Sequence, residues 1–212
     1  MTDPLRTHWT GAWRALGTEP PAGLLERLLA AYAEPQRHYH GLQHLAECMA
    51  HFGRERAAAA HPAEVALALF FHDAVYDVHA HDNEARSADW AHEALRQAGA
   101  GDEAAQRVHA LVMATCHDAQ PEGADAQLLV DIDLAILGAP PPRFAEYEQQ
   151  IRREYAHVPP EVFEPRRRAI LGRFLARDPL YLTPGLRARC EAQARSNLRG
   201  ALGPGTPTAG TE

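Results

Sequence analysis

The sequence predicts an all-α protein, and three features of its 212 residues lead to this prediction. Apolar side chains recur at steps of three and four residues along most of the chain, as they do on the buried face of an amphipathic helix. Prolines and aspartates stand in front of these stretches, at the places where helices begin. No stretch of useful length shows the apolar–polar alternation of a half-buried β-strand.

The helices expected in the first half of the chain each begin at a capping residue or a proline. Their expected spans are 3–16, 20–35, 41–52, 62–71 and 82–98. The fourth of these is the most apolar, because the run from Ala66 to Phe71 carries no charge. Such a run is typical of a helix that is buried on most of its faces.

The second half continues the same pattern, with helices expected at 102–116, 125–137, 144–155, 160–175 and 184–198. Gly138 is expected to stop the second of these. Three prolines at 140–142 suggest a stiff connector rather than a domain boundary. We therefore expect a single domain over residues 1–199. The Gly/Pro/Thr-rich residues 200–212 are expected to be a disordered tail.

The charge of the chain limits its function. A net charge of −7 disfavours binding to duplex nucleic acid, which needs a basic surface. Lysine is absent, which excludes a P-loop lysine and a Schiff-base lysine. Any group that binds phosphate must therefore be an arginine, a histidine or a main-chain amide.

The three cysteines have no paired spacing, so neither a disulfide framework nor a cysteine-ligated zinc site is expected. The N-terminus lacks the basic and apolar segments of a signal peptide. No apolar run approaches the ~18–20 residues that a membrane span needs. We expect a cytoplasmic protein with no membrane partner.

The most informative stretch is the end of the apolar run, where Phe71 is followed by His72 and Asp73. Burying an imidazole and a carboxylate at the edge of an apolar core costs free energy unless each group has a polar or charged partner. Either a bound cation or a His–Asp hydrogen bond would satisfy this pair, and the dipeptide alone leaves both open.

Three further blocks accompany this one: Arg37–His44 upstream, then Asp82–Ala88 and Asp131–Gly138 downstream. The order His, then His-Asp, then Asp resembles that of the HD superfamily of metal-dependent phosphohydrolases. The blocks are most similar to a bacterial subgroup of predicted HD phosphohydrolases, and the resemblance extends to about Thr183. It implies an HD-type helical bundle with a central metal site.

The resemblance also implies the metal ligands, which are His44, His72, Asp73 and Asp133. Asp131 is the second choice for the last of these, and Asp73 is also expected to act in catalysis. Imidazole and carboxylate ligands suit one divalent transition-metal ion such as Mn²⁺, Fe²⁺, Co²⁺, Ni²⁺ or Zn²⁺. A second metal remains open, since binuclear relatives recruit extra histidines before the final aspartate.

Other residues of the same blocks are candidates for contact with substrate. Glu84 is the candidate general acid or base, although it could simply compensate the dipole of the helix that it begins. Arg37 is expected to contact phosphate, or else to form a salt bridge. His40 is expected to face the substrate. His117 is expected to stabilise charge or to recruit a second metal, and His109 is the weaker candidate for that recruitment.

The resemblance therefore implies a phosphohydrolase that acts on a phosphomonoester or small nucleotide through metal-activated water. No Gly-Lys follows His72-Asp73, and no Gly-Tyr-Pro follows a His-Asp pair. Both absences disfavour a (p)ppGpp hydrolase or a cyclic-dinucleotide phosphodiesterase. Two alternatives stay open, a di-iron oxygenase on the same scaffold and a non-catalytic metal-dependent binding module.

Overall fold

The computed structural model describes residues 4–117 and 119–203, and within these ranges the chain is all-α, as predicted. The described residues form ten α-helices and no β-strand. The helices are α1 Pro4–Ala15, α2 Leu24–Tyr32, α3 Leu42–Glu55, α4 Pro62–Phe71, α5 Asn83–Gln97, α6 Asp102–Met113, α7 Ala124–Asp133, α8 Pro141–Glu154, α9 Pro160–Ala176 and α10 Pro184–Leu202. None of these helices is long and apolar enough to cross a membrane.

The first compact unit, Met1–Asp133, is organised around α4. Every residue of α4 from Ala63 to Phe71 is buried, because α1, α3, α5, α6 and α7 all pack against this helix. Its one charged residue, Glu64, accepts two hydrogen bonds of 2.7 Å from the Arg107 guanidinium on α6. This bidentate pairing compensates the burial of the carboxylate. The prediction of a buried central helix at 62–71 is confirmed.

The second compact unit, Leu134–Glu212, is described as far as residue 203. It begins with a 3-10 segment, Leu134–Gly138, which packs against α8 and α10, and α9 also packs on α10. Gly138 is required at its position, because a Cβ atom there would lie only 2.6 Å from the Cβ of Cys190. The prediction of one domain over residues 1–199 stays a prediction.

Several helix boundaries differ from the sequence prediction by three or four residues. Helix α2 is Leu24–Tyr32 rather than 20–35, and α8 begins at Pro141, so two of the three prolines expected to form a connector are its first residues. The helix expected to run from 125 to 137 ends at Asp133 and continues as the 3-10 segment. Side chains replace the lost α-helical partners there: the Tyr181 hydroxyl donates to the Leu134 carbonyl, and Asn197 donates to the carbonyls of Leu137 and Ala139. Helix α10 ends at Leu202 rather than at 198. The rest of the predicted tail, residues 204–212, lies outside the described residues.

Candidate metal centre

Four side chains from three helices of the first unit converge at one point. His44 Nε2 lies 3.0 Å from His72 Nε2 and 3.1 Å from Asp133 Oδ1. His72 Nε2 lies 3.1 Å from Asp73 Oδ2. These are the four residues that the sequence predicts as metal ligands, and the structure brings them together.

The local structure explains why these atoms meet. His44 is in the first turn of α3, His72 and Asp73 directly follow α4, and Asp133 is the last residue of α7. Helix α4 packs against both α3 and α7, and those two helices also contact each other. Residues at or next to the ends of three different helices therefore lie close together in the folded chain.

A hydrogen bond orients the His72 ring. Its Nδ1 lies 2.8 Å from the Leu69 carbonyl oxygen, which can only accept. In the neutral ring the proton is therefore on Nδ1, and the lone pair of Nε2 points toward the other ligands. A carbonyl that holds the second nitrogen in this way is a common support for a metal-binding histidine.

Cys48 belongs to the cluster, although no cysteine-ligated site was expected from the spacing of the cysteines. Its Sγ atom lies 3.7 Å from Nε2 of His44, one helical turn earlier on α3. One ligand atom from each of His44, Cys48, His72 and Asp133 lies within 4.8 Å of all the others. The signal in the sequence was the spacing of four residues between His44 and Cys48, which places both on one face of a helix.

The donor set fits a divalent metal ion. With metal–ligand bonds of about 2.0–2.2 Å, neighbouring nitrogen and oxygen ligands are about 2.8–3.6 Å apart, depending on octahedral or tetrahedral geometry. The distances from the two Nε2 atoms to each other and to the aspartates fall between 3.0 and 3.6 Å. Asp73 Oδ2 is buried and, apart from its ionic contacts with the two imidazoles, has no hydrogen-bond partner among the described residues. A buried oxygen of this kind calls for a cation, so the cluster could hold one.

The electrostatics of the cluster favour charged carboxylates. Burial by itself would raise the pKa of Asp133, but hydrogen bonds from His117, His44 and His72 hold that pKa well below its usual range. Burial alone would likewise lower the pKa of His72, yet the charge of Asp73 and the hydrogen bond to Asp133 raise it well above its usual value. In the absence of a metal, a protonated His72 therefore balances part of the negative charge of the two aspartates.

Arg37 supports the turn that carries Asp73. Its guanidinium is buried and donates to the main-chain carbonyls of Asp73 (2.5 Å) and Ala74 (3.1 Å), and to the Glu34 carboxylate (3.0 Å). The Tyr32 hydroxyl accepts a hydrogen bond from the Asp73 amide. The predicted phosphate contact of Arg37 stays a prediction, and it would require the guanidinium to leave these carbonyls.

We expect Arg37→Met to lower the free energy of unfolding of the metal-free protein by about 2–4 kcal/mol, because two buried carbonyls lose a charged donor. Arg27→Met is a suitable control, since Arg27 is exposed and donates only to the Ala22 carbonyl among the hydrogen bonds described. The control should change stability by less than about 0.5 kcal/mol. Urea unfolding measures both, and a loss below about 1 kcal/mol for Arg37→Met would contradict the supporting role.

Two predicted substrate contacts lie beside the cluster. The His40 ring stacks on Tyr76 at 4.2 Å, and its centroid is 6.1 Å from that of His44. His117 Nε2 lies 3.1 Å from the second oxygen of Asp133, and its main chain has a left-handed conformation with φ of 57°. Such conformations are strained for residues other than glycine and are frequent at functional sites. Contact of His40 and His117 with substrate stays a prediction.

The remaining candidate residues are not members of the cluster. His109 Nε2 lies 3.2 Å from Asp89 Oδ1. Recruitment of a second metal by His109 or His117 stays a prediction. Asp131 is buried on α7 and is not a member of the mutually close set, which includes Asp133. Asp73 is not a member either, but its Oδ2 lies 3.1 Å from His72 Nε2. Glu84 lies in the first turn of α5 and is half-buried.

A cavity of about 650 Å³ lies in the first unit, and His117 is one of its lining residues. Its walls are mostly apolar and come from the end of α6, the loop that follows and the start of α7. Lining residues include Arg107, Ala110, Met113, His117 and Pro121. Its volume is within the usual range of small-molecule sites, which is about 300–1,000 Å³.

No protein-family model, curated protein or solved structure matches this chain. The resemblance to the HD superfamily therefore rests on the four sequence blocks.

Proposed function

We propose that this protein is a metal-dependent phosphohydrolase that acts on a phosphomonoester or small nucleotide. One observation carries the proposal: the buried convergence of His44, His72, Asp73 and Asp133 at distances of 3.0–3.6 Å. A divalent ion held there would polarise a phosphoryl oxygen and increase the acidity of a water. The side chains of Asp73 and Asp133 are 17% and 15% exposed, so part of each reaches the surface of the cluster.

Glu84 is the proposed general base, and the contacts of its helix support this role. Ser87, one turn later on α5, accepts a hydrogen bond of 3.0 Å from the amide of Val75, which closely follows Asp73. Residues at i and i+3 share a face of a helix, so Glu84 lies on the same side of α5 as Ser87. From there its carboxylate takes a proton from the attacking water.

His40 and His117 are the proposed contacts to the phosphate. They lie next to His44 and Asp133, and an imidazole N–H can donate a hydrogen bond to a phosphate oxygen. No lysine is present to do this, and the Arg37 guanidinium binds main-chain carbonyls. We therefore assign the recognition of the phosphate oxygens to these two histidines.

The test combines two measurements on the full chain purified without chelator. Elemental analysis should find a divalent transition metal in a one-to-one ratio. A phosphate-release screen over nucleotides, sugar phosphates and aryl phosphates should identify a substrate. Full metal content without any phosphate release would overturn the proposal, and oxygen consumption by the iron-loaded protein would favour the oxygenase alternative instead.

The apolar cavity beside His117 offers room for the organic part of the substrate. We expect Ala110→Phe, at an exposed lining position of α6, to raise KM about 10-fold because it fills the cavity, with kcat and metal content unchanged. Ala30→Phe is the matched control, at an exposed position of α2 outside the cavity. Steady-state kinetics on the substrate from the screen measures both. An unchanged KM for Ala110→Phe would remove the cavity from the substrate site.

A further inference from the structure

The sulfur of Cys48 has a position that the implied ligand set does not explain. The side chain is 2% exposed and lies in the first half of α3, on the face that carries His44. Among the described residues, it is a member of the one cluster whose ligand atoms are all close enough to share an ion. We infer that the thiolate of Cys48 is a metal ligand, and that the centre therefore prefers borderline ions such as Zn²⁺, Fe²⁺ or Co²⁺ over Mg²⁺ or Mn²⁺.

One of the two sulfur–nitrogen distances matches ligation by a shared ion. A metal–sulfur bond of about 2.3 Å and a metal–nitrogen bond of about 2.0–2.1 Å at a tetrahedral angle separate the two ligand atoms by about 3.6 Å. The observed separation of Cys48 Sγ from His44 Nε2 is 3.7 Å. The same sulfur is also 3.7 Å from Nδ1 of that ring, so it lies level with both nitrogens rather than along the Nε2 lone pair, and ligation requires a rotation of the Cys48 or His44 side chain. The experiment must therefore separate a metal–sulfur bond from a packing contact.

A thiolate ligand at Cys48 would influence which metal ions the centre prefers. Thiolates favour zinc and iron, whereas magnesium and manganese prefer oxygen ligands. When the ion binds, the S–H bond of Cys48 breaks, the metal–sulfur bond forms and the proton goes to solvent. The thiolate, the two imidazoles and the Asp133 carboxylate then make a mixed S, N and O donor set, with Asp73 beside it.

Cobalt is the probe, because a cobalt–thiolate bond has a charge-transfer absorption in the near ultraviolet and a cobalt–imidazole bond does not. Metal-free full chain is titrated with Co²⁺, and bound cobalt is counted by elemental analysis. We expect the absorption in the wild type and its loss in Cys48→Ser. A wild type that binds one equivalent of cobalt without this absorption would make Cys48 a packing residue and overturn the inference.

The other two cysteines provide the controls. Cys190 is buried in the second unit, and Cys116 is partly exposed after α6. The double variant Cys116→Ser/Cys190→Ser keeps Cys48 as its only thiol and should retain the full absorption. This variant keeps the test decisive if Cys48→Ser does not fold. Absorption that disappears in the double variant would overturn the inference.

The affinities of the centre for Zn²⁺ and Mn²⁺ test the inferred preference for borderline ions. Chelator competition should show that Cys48→Ser binds Zn²⁺ on the order of 100-fold more weakly, while its affinity for Mn²⁺ changes by less than about 10-fold. If Cys48→Ser lowers the affinities for Zn²⁺ and Mn²⁺ by the same factor, the inferred preference for borderline ions is overturned. None of these measurements uses turnover, so a protein with a cobalt–thiolate bond and no phosphate release would refute only the proposed function.

Discussion

Asp133→Asn should leave the protein without its metal ion. Asp133 Oδ1 lies 3.1 Å from His44 Nε2 and 3.6 Å from His72 Nε2, while its other oxygen contacts His117. An amide is a much poorer ligand than a carboxylate and brings no negative charge to a divalent ion. Elemental analysis after purification without chelator should find the wild type loaded and the variant nearly empty.

The same substitution should abolish the increase in thermal stability that metal gives. An ion that binds the folded state stabilises it by about 4 kcal/mol when its concentration is about 1,000 times Kd. Wild type should therefore melt at a higher temperature with metal than with chelator, and Asp133→Asn should melt at the same temperature in both. This comparison of each protein with itself removes any effect of the substitution on the metal-free fold.

Asp131→Asn is the control that shows whether metal loss is specific to the carboxylate at position 133. Asp131 is buried two residues earlier on α7, outside the mutually close set. Its asparagine variant should retain metal even if its stability changes. Metal loss in Asp131→Asn together with retention in Asp133→Asn would transfer the ligand role to Asp131.

Glu84→Gln should remove turnover and leave the metal in place. Glu84 is on α5, which contributes no member to the metal cluster, yet it shares a helix face with Ser87, which binds the main chain of Val75. Glutamine keeps the size of the side chain but cannot accept a proton from water. If Glu84 is the general base, kcat should fall about 10²- to 10⁴-fold, with metal content and melting temperature nearly unchanged.

The alternative role of Glu84 has a different signature. A carboxylate in the first turn of a helix stabilises the helix dipole by about 0.3–1 kcal/mol. If this is its only role, Glu84→Gln should lose that stability and keep its full kcat. Asp82→Asn, at the exposed residue that precedes α5, is the control that changes a nearby charge without the proposed base. Unaltered kcat in Glu84→Gln on the identified substrate would remove Glu84 from the mechanism.

The all-α fold and most helix positions could be predicted because they depend on short-range patterns. The apolar run from Ala66 to Phe71 has no charge to place in water, so its burial follows from composition. The helix starts at Pro62 and Pro184 follow from the fixed φ angle of proline and its missing amide donor. The break at Asp133 did not follow, because Tyr181 and Asn197, which satisfy the carbonyls beyond it, are remote in sequence.

For the candidate site, the sequence determined which imidazoles and carboxylates are available and that His72 and Asp73 end a buried helix. Only the tertiary structure decided which of them meet. The packing of α3 and α7 against α4 brings His44 and Asp133 to His72, and it turns the same face of α3 so that Cys48 joins the cluster. It also places the Arg37 guanidinium on the carbonyls of the Asp73–Ala74 turn. Helix periodicity says which residues share a face, but the partner of that face depends on how whole helices pack, which no local pattern contains.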